Sequence, residues 1–455
     1  MWERIISRDN LMAALRRVQS NGGAPGVDGM TVEELAEHLM VHWPSIREKM
    51  EAGRYEPSPV KRVEISKPGK GMRQLGIPTV QDRFIQQAMH QVLSPQFEPT
   101  FSEHSYGFRL GRSAHEAVKA AQAHVEAGYK WVVDIDMERF FDTVNHDRLM
   151  ARMKAVVKEK RVLRLVNAYL KAGVMVNGVM VETKEGTPQG GPLSPLLSNI
   201  VLTELDRKLE ERGHRFVRYA DDCNIYVRSE RAARRVLAST KRYVEERMRL
   251  KDNEAKSGVD LAVKRQFLGF SFYRRAGGVG IRIARERLGR AKRKLRRMTR
   301  RSQGRSIEEV RDELNPYIRG WVNYFALADA KAHMQRMDEW MRRRLRQALW
   351  KQWKTPANRY RNLRGRGVSE YWAIRTGGTS KGCWRLSASP PLHKALNNAY
   401  WRELGLESFL QRYQLRHTWP NRRMRTRMSG GVGGGRLGRP PIPIFCWERP
   451  SGRGL

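Results

Sequence analysis

Two short clusters of acids sit at the ends of apolar runs in a chain that is otherwise strongly basic. The first run, Trp131-Val-Val-Asp134-Ile-Asp136, continues to Phe140, Phe141 and Asp142. The second, Phe216-Val-Arg-Tyr219, leads to Ala220, Asp221 and Asp222. Apolar runs of this length read as buried strands, so the carboxylates belong at strand ends. Carboxylates gathered there repel one another unless a cation joins them. With no histidine or cysteine cluster beside them, hard oxygen donors of this kind suit Mg²⁺, with Mn²⁺ as a substitute. A lone Asp-Asp pair more often caps a turn or pairs with a surface arginine. Two strand-end clusters in one basic chain shift that balance towards metal.

The 455 residues carry 87 Lys+Arg against 47 Asp+Glu, a net charge of +40. The excess is uneven, at +11 over residues 1–280 and +29 over residues 281–455. A surface this basic implies a polyanion partner, nucleic acid before an anionic membrane. No apolar run is long enough to span a bilayer, and the first residues lack the apolar stretch of a signal peptide. Cys223, Cys383 and Cys446 are too far apart for a disulfide framework or a cysteine zinc site, so a reduced, cytoplasmic protein is expected. His38 and His42 share a helix face but have no ligand cluster around them, and they read as an ordinary pair.

The coarse pattern is a mixed helix-and-strand region followed by a basic helical one. Ser113 to Glu116 is a capping box opening a helix to about Ala127. Val174–Val181 around Asn177-Gly178 predicts a hairpin. Phe216–Tyr219 and Asn224–Val227 predict another, with residues 220–223 as its turn, and Gln266–Phe272 reads as one strand. After residue 284 apolar residues recur at helical spacing, through Trp321, Tyr324 and Phe325 and then Met337, Met341, Leu345 and Leu349. Twelve basic residues fall between 282 and 305 with a single acid, Glu286, which predicts a phosphate-tracking surface. Its candidate contacts are Arg285, Arg290, Lys292, Arg293, Lys294, Arg296, Arg297, Arg300 and Arg301. Of the aromatics beyond it (Trp350, Trp353, Tyr360, Tyr371, Trp372 and Trp384), most are expected in the core and some stacked on bases.

Eight segments in order resemble the reverse transcriptases encoded by group II introns, which are also splicing maturases. They are Asn21–Gly29, Lys67–Pro78, Ser105–Ser113, the Asp136 cluster, Gly186–Pro195, Tyr219–Asp222, Phe267–Phe270 and Asn315–Phe325, within a likeness covering about residues 20–415. The resemblance implies an α+β right-hand polymerase, with fingers and an antiparallel palm sheet in 1–284. A helical thumb follows in 285–349, then a DNA-binding-like segment in 350–415 and a flexible Gly/Pro-rich basic tail in 416–455.

The resemblance also implies roles. Asp136 aligns with the first catalytic aspartate, because Phe141 then falls five residues on as the aromatic gate that crowds a 2′-hydroxyl. Asp134 does not fit that spacing and is secondary. Asp221 is the second metal ligand, Asp222 is catalytic and metal-binding with it while supporting the site more than binding, and the Met137 carbonyl adds an oxygen. Lys67 and Arg73 grip the incoming triphosphate, Gln189 lies near the nascent base pair, and Lys256 lies near the triphosphate. The implied function is RNA-directed DNA synthesis joined to binding of the intron RNA, assisting splicing and mobility. The partners are that RNA, an RNA template with DNA primer, dNTPs and a DNA target, with no membrane. A splicing-only maturase and a reverse transcriptase recruited to host defence or repair are the alternatives. Only Cys446 lies beyond residue 383 and no histidine beyond His417, so the His-Asn-His endonuclease of many relatives is not expected.

Overall fold

The structure, a computed structural model, describes residues 1–66, 72–137, 140–176, 179–181, 190–253 and 255–418. Among these residues are eleven strands. In chain order they are β1 (Val60–Ser66), β2 (Met72–Ile77), β3 (Trp131–Ile135), β4 (Val174–Val176), β5 (Val179–Val181) and β6 (Arg215–Tyr219). Then come β7 (Asp222–Val227), β8 (Gly258–Leu261), β9 (Gln266–Phe267), β10 (Phe270–Arg275) and β11 (Gly278–Ile283). They form three sheets, ordered β2-β1-β4-β5, β6-β7-β3-β8 and β11-β10-β9.

The second sheet organises the site. It is antiparallel throughout, with β3 between β7 and β8. Successive strand residues face opposite sides, and β3 shows the consequence. Val133, Ile135 and Met137 enter a core built with the helices Val80–Phe97 and Ser194–Glu211, whereas Val132 enters a second core with β10, β11 and the C-terminal helices. The sheet is thus covered on both faces, and the even-numbered acids Asp134 and Asp136 fall on the second face.

Several local expectations hold. Ser113 caps the helix Ala114–Glu126, its hydroxyl accepting from the Glu116 N–H at 3.2 Å. β4 and β5 pair as the Asn-Gly signal requires. Two expectations change. The β6–β7 hairpin turns on Ala220 and Asp221 alone, with Tyr219 opposite Asp222, so Asp222 and Cys223 open β7. Gln266–Phe272 is two strands, because Leu268 and Gly269 both adopt left-handed backbone (φ 52° and 86°) and reverse the chain between Phe267 and Phe270. An aliphatic leucine gives no sequence signal for that turn.

The C-terminal region is helical: Arg285–Met298, Ile307–Phe325, Lys331–Gln352 and Pro356–Arg364, then shorter helices to Phe409–Thr418. In Ile307–Phe325 the buried stripe is Val310, Leu314, Ile318, Val322 and Phe325, which leaves Trp321 only half-buried. Trp350, Trp353, Leu363, Leu392, Trp401 and Phe409 share one core with Met334, Met341 and Leu345. Truncating a fully buried aromatic such as Phe409 to alanine costs about 3–5 kcal/mol. Trp350 and Trp353 are therefore core residues, while Tyr371, Trp372 and Trp384 are exposed. The tail from residue 419 onward lies outside the described residues. No described helix is long and apolar enough to cross a membrane.

Candidate active site

Asp136 follows directly on β3 and is held by the loop before β8. Its backbone N–H donates to the Ser257 hydroxyl at 2.9 Å, and its carbonyl accepts from the Asn253 N–H at 2.9 Å. Its carboxylate accepts from the Asn253 amide at 3.1 Å and from the Lys256 ammonium at 2.8 and 3.0 Å. Met137 is fixed by an isolated bridge to Asp252, its side chain buried. Sequence reasoning singled out Lys256 in this loop and missed Asn253 and Ser257. The only signal for them was a short polar run between two strand patterns.

Asp222 starts β7 on the same sheet face as Asp134 and Asp136. Its side chain is partly open to water at the end of the sheet. Burial first, then the neighbouring charges of Asp221, Asp134 and Asp136, push it up to about 7. Burial likewise raises Asp134 to about 6, against the Arg265 guanidinium at 3.5 Å. Asp221 projects from the turn beside Ala220, whose backbone is left-handed (φ 57°). Among the described residues no three His, Cys, Asp or Glu side chains close on a metal position as they stand. The cation beside Asp136 is instead Lys256, more than half exposed and paired with it. The donor chemistry nonetheless fits a divalent metal: all-oxygen ligands on one face, one of them raised to about 7 by burial first and then by its acidic neighbours.

Lys67 and Gln189 lie outside the described residues, as do the side chains of Arg73 and Phe141. Phe140 is buried in the core.

Asp222 also stands at one end of a cleft of about 880 Å³ between the sheet and the C-terminal helices. Arg287, Arg290 and Lys294 line one wall, and Tyr317, Trp321 and Tyr324 line another, with the Leu268-Gly269 turn between. Lys294 lies over the Tyr317 ring at 4.7 Å, and the Tyr324 hydroxyl donates to the Leu268 carbonyl at 2.8 Å. The basic helix Arg285–Met298 therefore has two charged faces. Residues 287, 290 and 294 turn into the cleft, while Lys292, Arg293, Arg296 and Arg297 are exposed outside it, as are Arg300 and Arg301 beyond its end. Arg290 is tied to Glu286 and Arg285 is exposed. Arg287 was missed at the sequence level, although it continues the spacing of 290 and 294.

The chain matches two family descriptions in the order of these features. Residues 65–272 match "Reverse transcriptase (RNA-dependent DNA polymerase)", and residues 288–367 match "Group II intron, maturase-specific domain". The chain thus joins a reverse transcriptase segment to a group II intron maturase segment. The reverse transcriptase match runs from the end of β1 into β10, and the maturase match begins inside the basic helix and continues through Pro356–Arg364. The chain is similar to Protein YkfC of Escherichia coli K12, 38% identical over 46% of this chain and 57% of that protein. It is similar to the group II intron-encoded protein LtrA of Lactococcus lactis subsp. cremoris, 36% identical over 46% of this chain and 34% of LtrA. It thus spans little more than half of the first relative and about a third of the second. Among solved structures, a chain of a partial Cas6-RT-Cas1–Cas2 complex is similar over 53% of this chain and 42% of its own, with 24% identity and a TM-score of 0.36.

The raised carboxyl of Asp222 predicts how stability responds to pH. The folded chain keeps a proton there that the unfolded chain releases near the ordinary carboxylate value of 3.8. Stability is therefore lost as pH rises from that value to about 7, and the loss is complete above it. Without divalent metal, Asp222→Asn is expected to raise the melting temperature slightly at pH 8, because water screens part of the effect at this exposed residue. The gain should shrink steadily as pH is lowered towards 4. A gain independent of pH would mean that it does not come from that proton.

Proposed function

We propose that this chain is an RNA-directed DNA polymerase that also binds its group II intron RNA and assists its splicing and mobility. One observation carries the reading. The face of the β6-β7-β3-β8 sheet that gathers Asp134, Asp136 and Asp222 meets the basic, aromatic-walled cleft at Asp222.

In this reading residues 1–284 are fingers and palm, 285–349 the helical thumb, and 350–415 the segment that meets DNA. Asp136, Asp221 and Asp222, with the Met137 carbonyl, hold Mg²⁺. A pair of divalent ions held there would supply Lewis-acid chemistry, one to the primer 3′-hydroxyl and the other to the leaving pyrophosphate. The protein's own part is placement. Asn253 and Ser257 hold Asp136 in line. Lys256 releases Asp136 when the cofactor binds and turns to the triphosphate, joining Lys67 and Arg73. Phe141 stands below the sugar and excludes a 2′-hydroxyl, and Gln189 borders the new base pair. Arg287, Arg290 and Lys294 follow the primer–template backbone through the cleft, and Tyr317 and Trp321 give it an apolar floor. The outer face of the basic helix takes the intron RNA, where phosphate contacts supply affinity and RNA shape supplies selectivity.

Purified full chain given an RNA template, an annealed DNA primer, dNTPs and Mg²⁺ is expected to extend the primer to the template end, and to stop on chelation. Failure across Mg²⁺, Mn²⁺ and a range of salt concentrations would overturn the polymerase reading.

A further inference from the structure

Beneath the carboxylate turn lies a polar linkage that the chemistry above does not use. Arg218 directly precedes Tyr219, and its side chain points away from the acids, towards the helix Ser194–Glu211. It is fully buried, as is its partner Asp206, both at 0% exposure. The two meet as a forked ion pair, Nε to Oδ1 at 2.7 Å and Nη2 to Oδ2 at 2.6 Å. Nη1 donates to the Asn199 side-chain oxygen at 2.9 Å and to the Ala220 carbonyl at 2.9 Å. The Asn199 amide in turn donates to the Gly107 carbonyl at 2.8 Å.

A second strand of contacts leads to the same place. The Tyr106 N–H donates to the Arg218 carbonyl and the Arg218 N–H to the His104 carbonyl, each at 2.9 Å. Residues 104–107 therefore run alongside β6, and Gly107 ends against the turn. A Cβ on Gly107 would come within 2.3 Å of the Ala220 nitrogen, so only glycine fits. Ala220 itself is left-handed, a conformation that a residue with a side chain keeps only where its surroundings impose it.

A buried ion pair is a poor route to stability, because desolvation offsets most of its attraction, and an apolar pair would join helix and sheet as well. What an apolar pair lacks is a donor for the Ala220 carbonyl. Lysine lacks the planar fork that serves Asp206, Asn199 and Ala220 together. We infer that Arg218 is a positioning residue: anchored on Asp206 and Asn199, it grips the Ala220 carbonyl and sets the direction in which Asp221 and Asp222 present their carboxylates. The inference rests on the polymerase reading.

The test uses the full chain with Arg218→Lys and, separately, Asn199→Ala, which leaves the ion pair whole. Four quantities are measured: thermal transition, primer–template affinity, Mn²⁺ affinity by electron paramagnetic resonance, and single-turnover extension against Mg²⁺ concentration. For Arg218→Lys, Mn²⁺ affinity should fall about tenfold and extension on the order of 10–100-fold. Primer–template affinity should stay within about twofold, since those contacts are elsewhere. Asn199→Ala should move both readouts in the same direction, by less. A folded Arg218→Lys protein with wild-type Mn²⁺ affinity overturns the inference, as does activity lost only in proportion to unfolded protein. If Arg218→Lys does not fold, Asn199→Ala decides, and unchanged Mn²⁺ affinity there overturns it. If the wild type itself fails to extend primers, the polymerase reading fails, while the Mn²⁺ comparison still judges Arg218.

Discussion

Alanine at Asp221 is expected to abolish primer extension, by on the order of 10³-fold or more, while leaving intron RNA affinity within about twofold. Asp221 stands in the two-residue turn between β6 and β7, next to the left-handed Ala220. Its removal takes one oxygen ligand from the site and leaves both cores intact. It also removes a negative charge facing Asp222, so repulsion within the site falls. Polyanion binding has no reason to weaken when an acid is lost. Extension assays on the variant, with filter-binding or gel-shift titration of the intron RNA, separate the two activities. Loss of both together would contradict their assignment to different surfaces. Loss of neither would remove Asp221 from the chemistry.

Reversing the outer charges of the basic helix should give the second large effect. None of Lys292, Arg293, Arg296, Arg297, Arg300 and Arg301 lines the cleft or belongs to the buried stripe Ala291, Leu295 and Met298. Folding should therefore survive. If these six contact phosphates, affinity for the intron RNA should fall by about 10²–10⁴-fold at low salt, and the slope of log affinity against log salt should flatten by about 4. Extension of a short primer–template should change far less, because Arg287, Arg290 and Lys294 remain in the cleft. An unchanged salt slope would place the intron RNA on another surface.

The division between these two sets of charges was invisible in the sequence. Twelve basic residues in a row of 24 announce a polyanion, but only the packing of residues 291, 295 and 298 against the core decides which cations face the cleft. Aromatic positions behave the same way. Trp321 and Phe325 read as one apolar stripe and both border the cleft, yet Phe325 is buried while Trp321 is only half-buried. At the Leu268-Gly269 turn the glycine was the one signal of a bend, since nothing about a leucine announces a left-handed backbone.

The acids were legible for a simple reason. An apolar run that ends in carboxylates must stop at the edge of a core, so Asp136, Asp221 and Asp222 could be picked out without coordinates. Strand alternation even places Asp134 and Asp136 on one face. Their supporters could not be found this way. Asn253 and Ser257 lie more than a hundred residues from Asp136, and Arg218 reaches Asp206 and Asn199 on the far side of the sheet. Such contacts depend on how helices and strands are stacked, which local pattern does not encode.

The amino-acid sequence by itself determined the chemistry available to this protein. It supplies acids at strand ends for a hard cation and a surplus of cations for a polyanion, because charge and hydropathy are properties of residues in order. Tertiary structure alone decided which acids share a face, which cations enter the cleft and what lies under the carboxylate turn. Those choices follow from close packing of distant segments. One buried guanidinium satisfied by Asp206, Asn199 and Ala220 shows that packing at its most specific.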